Sequence, residues 1–260
     1  MAFAVLTRDP VDAQGYAGVL APLGLEVVAM PVTRTASADD PGALARALDT
    51  GSYAAIVVAS PRAAHELARA VASLASVRTT MPDLPDVWAV GPATKRALDI
   101  AKLPAHLPAD VRDGAELAKK LVAARRLAGQ RVLVPRAEDG RIESLEILRA
   151  AGADVVDIVA YRTVAVAADD PQVARGAELL VAGEAAVCAL FAPSQVSALA
   201  AVIEARGASL GEIATRFCAI GETTAAAARQ AGVSAIAVAS TPSPEGMAHA
   251  VRSVYPARTS

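Results

Sequence analysis

The stretch VWAVGPATKRAL at residues 87–98 returns as FCAIGETTAAAA at 217–228, and it does not return alone. AVLTRDPVDAQGYAGVLAPLGLEVVAMPVTRTA (4–36) aligns with VLVPRAEDGRIESLEILRAAGADVVDIVAYRTVA (132–165). AAIVVASPRAAHELARAV (54–71) aligns with AAVCALFAPSQVSALAAVI (185–203), and HLPADVRDGAELAKKLV (106–122) with AIAVASTPSPEGMAHAV (235–251). A chain that says everything twice in the same order must fold as two versions of one plan, which removes most alternatives at once. In each copy an apolar run meets an Arg-containing loop, then a helix ending at glycine (Gly24, Gly152), then another apolar run; glycine there suits a left-handed helix terminus.

Apolar runs of four to seven residues alternate with helical segments throughout. That pattern predicts parallel sheets with crossover helices, and runs without polar alternation predict strands covered on both faces. The expected fold is α/β, with two doubly wound parallel-sheet domains related by the repeat. In such sheets ligands sit beyond the carboxyl ends of the strands. Here those positions are the loops 8–12, 60–62, 91–94, 136–141 (with Gly140), 193–195 and 221–224. Helix N-termini at these points offer free N–H groups and the positive end of the helix dipole. Gly91 and Gly221 are expected to allow tight turns and close approach to a ligand. Thr94, Thr223 and Thr224 can cap a helix or donate to an anion; plain capping would use the same residues. Two equivalent mouths facing each other would suit a ligand larger than one loop can hold. Neither G-x-G-x-x-G nor G-x-x-x-x-G-K-[ST] occurs, so no nucleotide fingerprint is present.

A formal net charge of -2 gives no general pull toward nucleic acid or an anionic membrane. Cys188 and Cys218 each lie in an apolar run and read as buried, reduced thiols. His65, His106 and His249 share no metal-ligand spacing and read as helix-surface or loop residues; no metal is expected. The apolar start of MAFAVLTRDPVD is interrupted at once by Arg8 and Asp9, so it does not read as a signal peptide. Residues 185–203 are uncharged over nearly a membrane-spanning length, but Pro193-Ser194-Gln195 breaks them into a strand, loop and helix. The expectation is a cytoplasmic protein without a membrane segment. The copies disagree at one informative place: Thr33-Arg34-Thr35 in the first becomes Tyr161-Arg162-Thr163 in the second, in a chain with only four tyrosines. A phenol in one copy alone suggests asymmetric chemistry, though a tyrosine packing a strand would look the same.

The ordered set of Thr-Arg after the opening strand, VVASPRA (57–63), VWAVGPAT (87–94), VLVPRAEDGR (132–141), AYRT (160–163), FAPSQV (191–196) and FCAIGETTA (217–225) resembles the uroporphyrinogen-III synthase family over the whole chain. The resemblance implies an exchange that the repeat alone does not show. Residues 1–33 and 167–260 would form one discontinuous domain and 36–164 the inserted one, joined by connector strands near 31–36 and 160–166. It implies a monomer without cofactors. The implied reaction is cyclisation of hydroxymethylbilane, a linear tetrapyrrole with eight carboxylates. Water is lost and the last pyrrole is inverted through a proposed spirocyclic pyrrolenine. A cleft between two hinged domains would suit so large a substrate. Tyr161 matches the family's tyrosine implicated in departure of the hydroxyl. Ser60, Arg62, Gly91, Ser194, Gly221, Thr223 and Thr224 match loops bordering the family's cleft. Arg8, Arg136 and Arg141 are added on charge, because a polycarboxylate calls for fork-shaped cationic donors. Ala192 stands where the family often has a hydroxyl residue, which points to backbone N–H donors there.

Two α/β domains also describe a small-ligand receptor of periplasmic type, against which the absent signal peptide counts. They describe a two-domain glycosyltransferase as well, from which a longer chain and a sugar-nucleotide loop would be expected.

Overall fold

The computed structural model describes residues 2–77 and 84–255; the chain ends of the expected discontinuous domain, Met1 and 256–260, lie outside them. The contacts divide the chain into two compact units, Met1–Arg34 with Val164–Ser260, and Thr35–Thr163.

The first unit is built on a five-stranded sheet whose strands, in chain order, are β1 (Ala2–Leu6), β2 (Leu25–Ala29), β9 (Ala185–Leu190), β10 (Arg216–Ala219) and β11 (Ile236–Val238). Their spatial order is β11-β10-β9-β1-β2, and every pairing is parallel. Val5, Cys188, Leu190 and Phe217 point to one face, beneath α7 (Pro171–Val181), α8 (Pro193–Glu204) and α9 (Glu222–Gln230). Ala4, Leu6, Val187, Ala189 and Cys218 point to the other, beneath α1 (Pro10–Leu20) and α10 (Pro244–Val254).

The second unit holds a six-stranded sheet, ordered β3-β8-β7-β4-β5-β6. The strands are β3 (Thr33–Ser37), β4 (Ala55–Val58), β5 (Val87–Ala89), β6 (Ala105–His106), β7 (Arg131–Ala137) and β8 (Asp154–Ala165). Ile56, Val58, Val87, Ala89 and Leu133 pack with α2 (Ala43–Thr50), α3 (Pro61–Val77) and α4 (Gly91–Ile100). Ala55, Val57, Val132 and Val134 pack with α5 (Gly114–Ala124) and α6 (Glu143–Ala150). Double coverage explains the unbroken apolar strands: side chains on both faces leave water, each large one contributing about 1.5–3 kcal/mol. The two unit boundaries fall inside β3 and β8.

The repeat is not carried through identically. The second copy runs from Asp154 to Ala165 as one strand, so the strand expected near 160–166 begins six residues earlier. In the first copy the same stretch is split into β2 and β3, with Pro31 in the break; a proline has no N–H to give a sheet ladder. The uncharged stretch folds as β9 and α8, the strand, loop and helix expected of it. Among the described residues no helix is long and apolar enough to cross a membrane. His65 and His249 are exposed on helices, whereas His106 lies in the two-residue strand β6 rather than in a helix or loop.

Cys188 and Cys218 lie on paired strands but on opposite faces, since Cys188 is in register with Phe217 and Cys218 with Ala189. Both thiols are free and buried. Burial raises both above the usual thiol range, that of Cys218 to about 12. The native protein should therefore give no reaction with an aromatic disulfide reagent at pH 8, and both cysteines should react once it is unfolded. A thiol titrating in the native state would contradict this packing.

Candidate functional site

In each unit the chain leaves a central strand, builds outward, and returns to build the other way. The reversal falls between β1 and β9 in the first sheet and between β7 and β4 in the second. Such switch points open a crevice at the carboxyl ends of the strands. In the second unit the crevice is a cavity of about 280 Å³ lined by residues including Ala59, Ser60, Asp113, Arg136, Gly140, Arg141, Ser144 and Tyr161.

Ser60 ends the β4 loop and caps α3, its Oγ accepting from the backbone N–H of Ala63 at 3.1 Å. The same Oγ lies 3.1 Å from the Tyr161 hydroxyl. Tyr161 is brought there by β8, with its ring buried in the core below α3. The two hydroxyls share one hydrogen bond, which leaves one proton of the pair for the cavity. Asp113 caps α5 by accepting from Glu116 N, while the Glu116 carboxylate accepts from Arg112 N, a reciprocal cap at the cavity wall. The N-terminus of α6 has no side-chain cap. Three helices thus start at this cavity, and their dipoles favour an anion in it.

The cavity arginines differ. Arg136 lies within β7 and donates from Nε and Nη2 to both oxygens of Asp157 (2.7 and 3.0 Å), and from Nη1 to the carbonyls of Ala137 and Glu138 (both 2.8 Å). Four of its five N–H donors are taken, so its main work is to hold the loop after β7, with one N–H left for a ligand. Arg141 is exposed at the rim and forms no ion pair or hydrogen bond with the described residues. Gly140 closes the turn between them by donating to the Ala137 carbonyl at 3.1 Å.

The remaining candidates of this unit stand apart from the cavity. Arg62 is exposed in the first turn of α3, and Thr94 is buried in α4. Gly91 has φ +74°, a conformation that favours glycine, whereas Gly221 in the first unit is extended and open to any residue.

In the first unit the switch point is filled. Tyr16 on α1 and Phe191 after β9 meet edge to face, with centroids 5.0 Å apart. The Arg8 guanidinium lies over both rings, 5.6 and 4.8 Å from their centres, and donates to the Tyr16 hydroxyl at 3.1 Å and to Asp12 at 3.0 Å. In the aligned copies Tyr16 stands where the second unit has Ser144, and Phe191 where it has Ala59. The size of these two residues separates an open cavity from a packed floor. Ser194 is half-buried in the first turn of α8, Thr223 is exposed and Thr224 buried in α9. Reasoning from the sequence missed Asp113, Ser144, Tyr16 and Phe191. The small-for-large exchange in the aligned copies was the available signal for the last three.

The chain is thus two repeat-related α/β units, one with a hydroxyl-lined cavity at three helix N-termini. A family model described as uroporphyrinogen-III synthase HemD matches residues 14–249. No curated protein matches the chain. Among solved structures, a uroporphyrinogen III synthase mutant from the extreme thermophile Thermus thermophilus shares 23% identity over 98% of both chains, with a TM-score of 0.60. A uroporphyrinogen-III synthetase from Helicobacter pylori shares 14% over 97% of this chain and 99% of its own, with a TM-score of 0.61. At these identities the likeness is one of fold. The chain belongs to the uroporphyrinogen-III synthase family, cyclising lyases of porphyrin biosynthesis.

Proposed function

We propose that the protein closes hydroxymethylbilane to uroporphyrinogen III and that the cavity at the β4–β7 switch point is where the substrate hydroxyl is lost. The observation that carries this reading is the Ser60–Tyr161 hydroxyl pair, 3.1 Å apart at a cavity edged by helix N-termini. Tyr161 donates its proton to the departing oxygen as the C–O bond breaks, and water leaves. The lone pair of the adjoining pyrrole nitrogen stabilises the cation that remains. Ser60 then donates to the phenolate left behind, and the proton released on ring closure restores the phenol. Helix N-termini and Arg141 hold substrate carboxylates and so fix the terminal ring against the cavity, the positioning that decides which carbon closes the ring. Ser60, Tyr161, Gly140 and Arg141 form this site, with Arg136 as its anchor. Gly91, Arg62, Ser194, Gly221 and Thr223 contribute backbone or side-chain donors at neighbouring strand ends, and Arg8 adds charge in the first unit, whereas Thr94 and Thr224 are buried and offer no hydroxyl to a ligand. The protein works as a cytoplasmic monomer.

A direct test measures disappearance of freshly generated hydroxymethylbilane with and without the protein. Catalysed loss well above the spontaneous rate is expected, and a rate equal to the spontaneous one would refute the reading.

A further inference from the structure

The first unit carries a further polar group in its loop 193–195. Gln195 lies in the first turn of α8, at the β1–β9 switch point. Its side-chain oxygen accepts twice, from the Thr7 hydroxyl at 2.8 Å and from the Phe191 backbone N–H at 3.2 Å. Thr7 is fully buried at the end of β1, so the first of these bonds is anchored in the core. The Thr7 hydroxyl has one proton and also reaches the Ala189 carbonyl at 3.1 Å, so it is the Phe191 N–H, which can only donate, that fixes which way the amide faces: the oxygen points to the protein and the NH2 away. That nitrogen bonds to no described residue, yet it is not among the polar atoms sealed from solvent without a partner. The result is a neutral donor with two N–H groups, held rigidly at the carboxyl ends of the strands. In the second unit the matching residue is Ala63, whose backbone N–H instead donates to Ser60. In the first unit Ala192 replaces that serine, and α8 has no side-chain cap from it. Gln195 therefore restores a side-chain contact to this loop and at the same time adds a donor that the other copy lacks.

We propose that the Gln195 amide binds a carboxylate of the substrate at the first unit and positions it there. The proposal rests on the function given above. At this switch point Tyr16 and Phe191 pack edge to face under the Arg8 guanidinium. A carboxylate arm lying on the packed floor needs only surface donors, and Gln195 supplies a pair of them whose orientation is already set before binding.

Gln195→Glu separates anchoring from binding. The carboxylate can still accept from Thr7 and Phe191, but it replaces the NH2 with a negative oxygen. The expected result is a melting temperature close to that of the wild type, with KM for hydroxymethylbilane raised about tenfold or more and kcat within about twofold, as loss of a hydrogen bond to a charged group implies. The defect relative to wild type should shrink as the pH is lowered toward the carboxyl range, where a protonated Glu regains a donor; a purely structural role would not produce this. Gln195→Met, which loses oxygen and nitrogen alike, should both destabilise the protein and raise KM. A wild-type KM in Gln195→Glu, beside an impaired Gln195→Met, would show that the amide only anchors the loop and would overturn the proposal. So would a Gln195→Glu protein that fails to fold, because the anchoring bonds would then be the residue's main contribution. If wild-type protein forms no type III product, it is the functional reading that fails instead.

Discussion

Tyr161→Phe is expected to lower kcat by about 10²–10⁴-fold, the usual worth of a positioned proton donor, while the melting temperature stays near that of the wild type. The ring sits in the core formed with β4 and α3, and phenylalanine keeps that packing. What disappears is a hydroxyl whose hydrogen-bond partner within the described residues is Ser60, and Ser60 keeps its own bond to Ala63 N. The product formed by the variant, over and above the type I that arises spontaneously, should still be type III, because the shape of the site rather than the phenol selects the carbon that closes the ring. The aligned residue in the first copy is Thr33, and Thr33→Val should leave turnover nearly intact. A fall of less than tenfold in Tyr161→Phe would make the tyrosine a positioning residue. Wild-type turnover with a lowered melting temperature would make it a packing residue only.

The second large effect comes from the repeat itself. Ser144→Tyr introduces into α6 the residue that the first copy carries at the matching place in α1. In the first unit that tyrosine is buried and fills the switch point. In the second unit Ser144 borders a cavity of about 280 Å³, which gives a tyrosine ring somewhere to go without displacing the core. The variant should fold and melt near the wild-type temperature, yet kcat/KM should fall by more than 100-fold, the scale of a misplaced substrate. Ser144→Ala, which keeps the cavity open, should stay within about tenfold of the wild type, as expected for loss of one neutral hydrogen bond. Near-normal kcat/KM in a folded Ser144→Tyr protein would place the substrate elsewhere.

The architecture was legible because its signals are local and repeated. Gly24 and Gly152 end their helices with φ of +73° and +81°, and the apolar runs became strands covered on both faces. Pro31 was equally visible, but its effect on β2 and β3 depends on which sheet each segment joins, a long-range matter that periodicity does not encode. The site was partly legible. Ser60, Gly140 and Arg141 stand at strand ends, where ligands of such sheets bind, and Tyr161, within β8, meets them at one cavity. Arg136 reads as a free cation in sequence, because its partner Asp157 lies one strand away in space and 21 residues away in the chain. Gln195 was quoted as part of a helix-starting turn. Its significance lies in the bond to Thr7, at the end of a strand 188 residues earlier.

This chain is expected to direct ring closure with inversion. Hydroxymethylbilane should be generated enzymatically in the presence of the protein, the products oxidised to porphyrins, and the isomers separated. Type III is expected to predominate with the wild-type chain, and type I alone to form when the chain is omitted. Type I alone in the presence of correctly folded wild-type protein would contradict it.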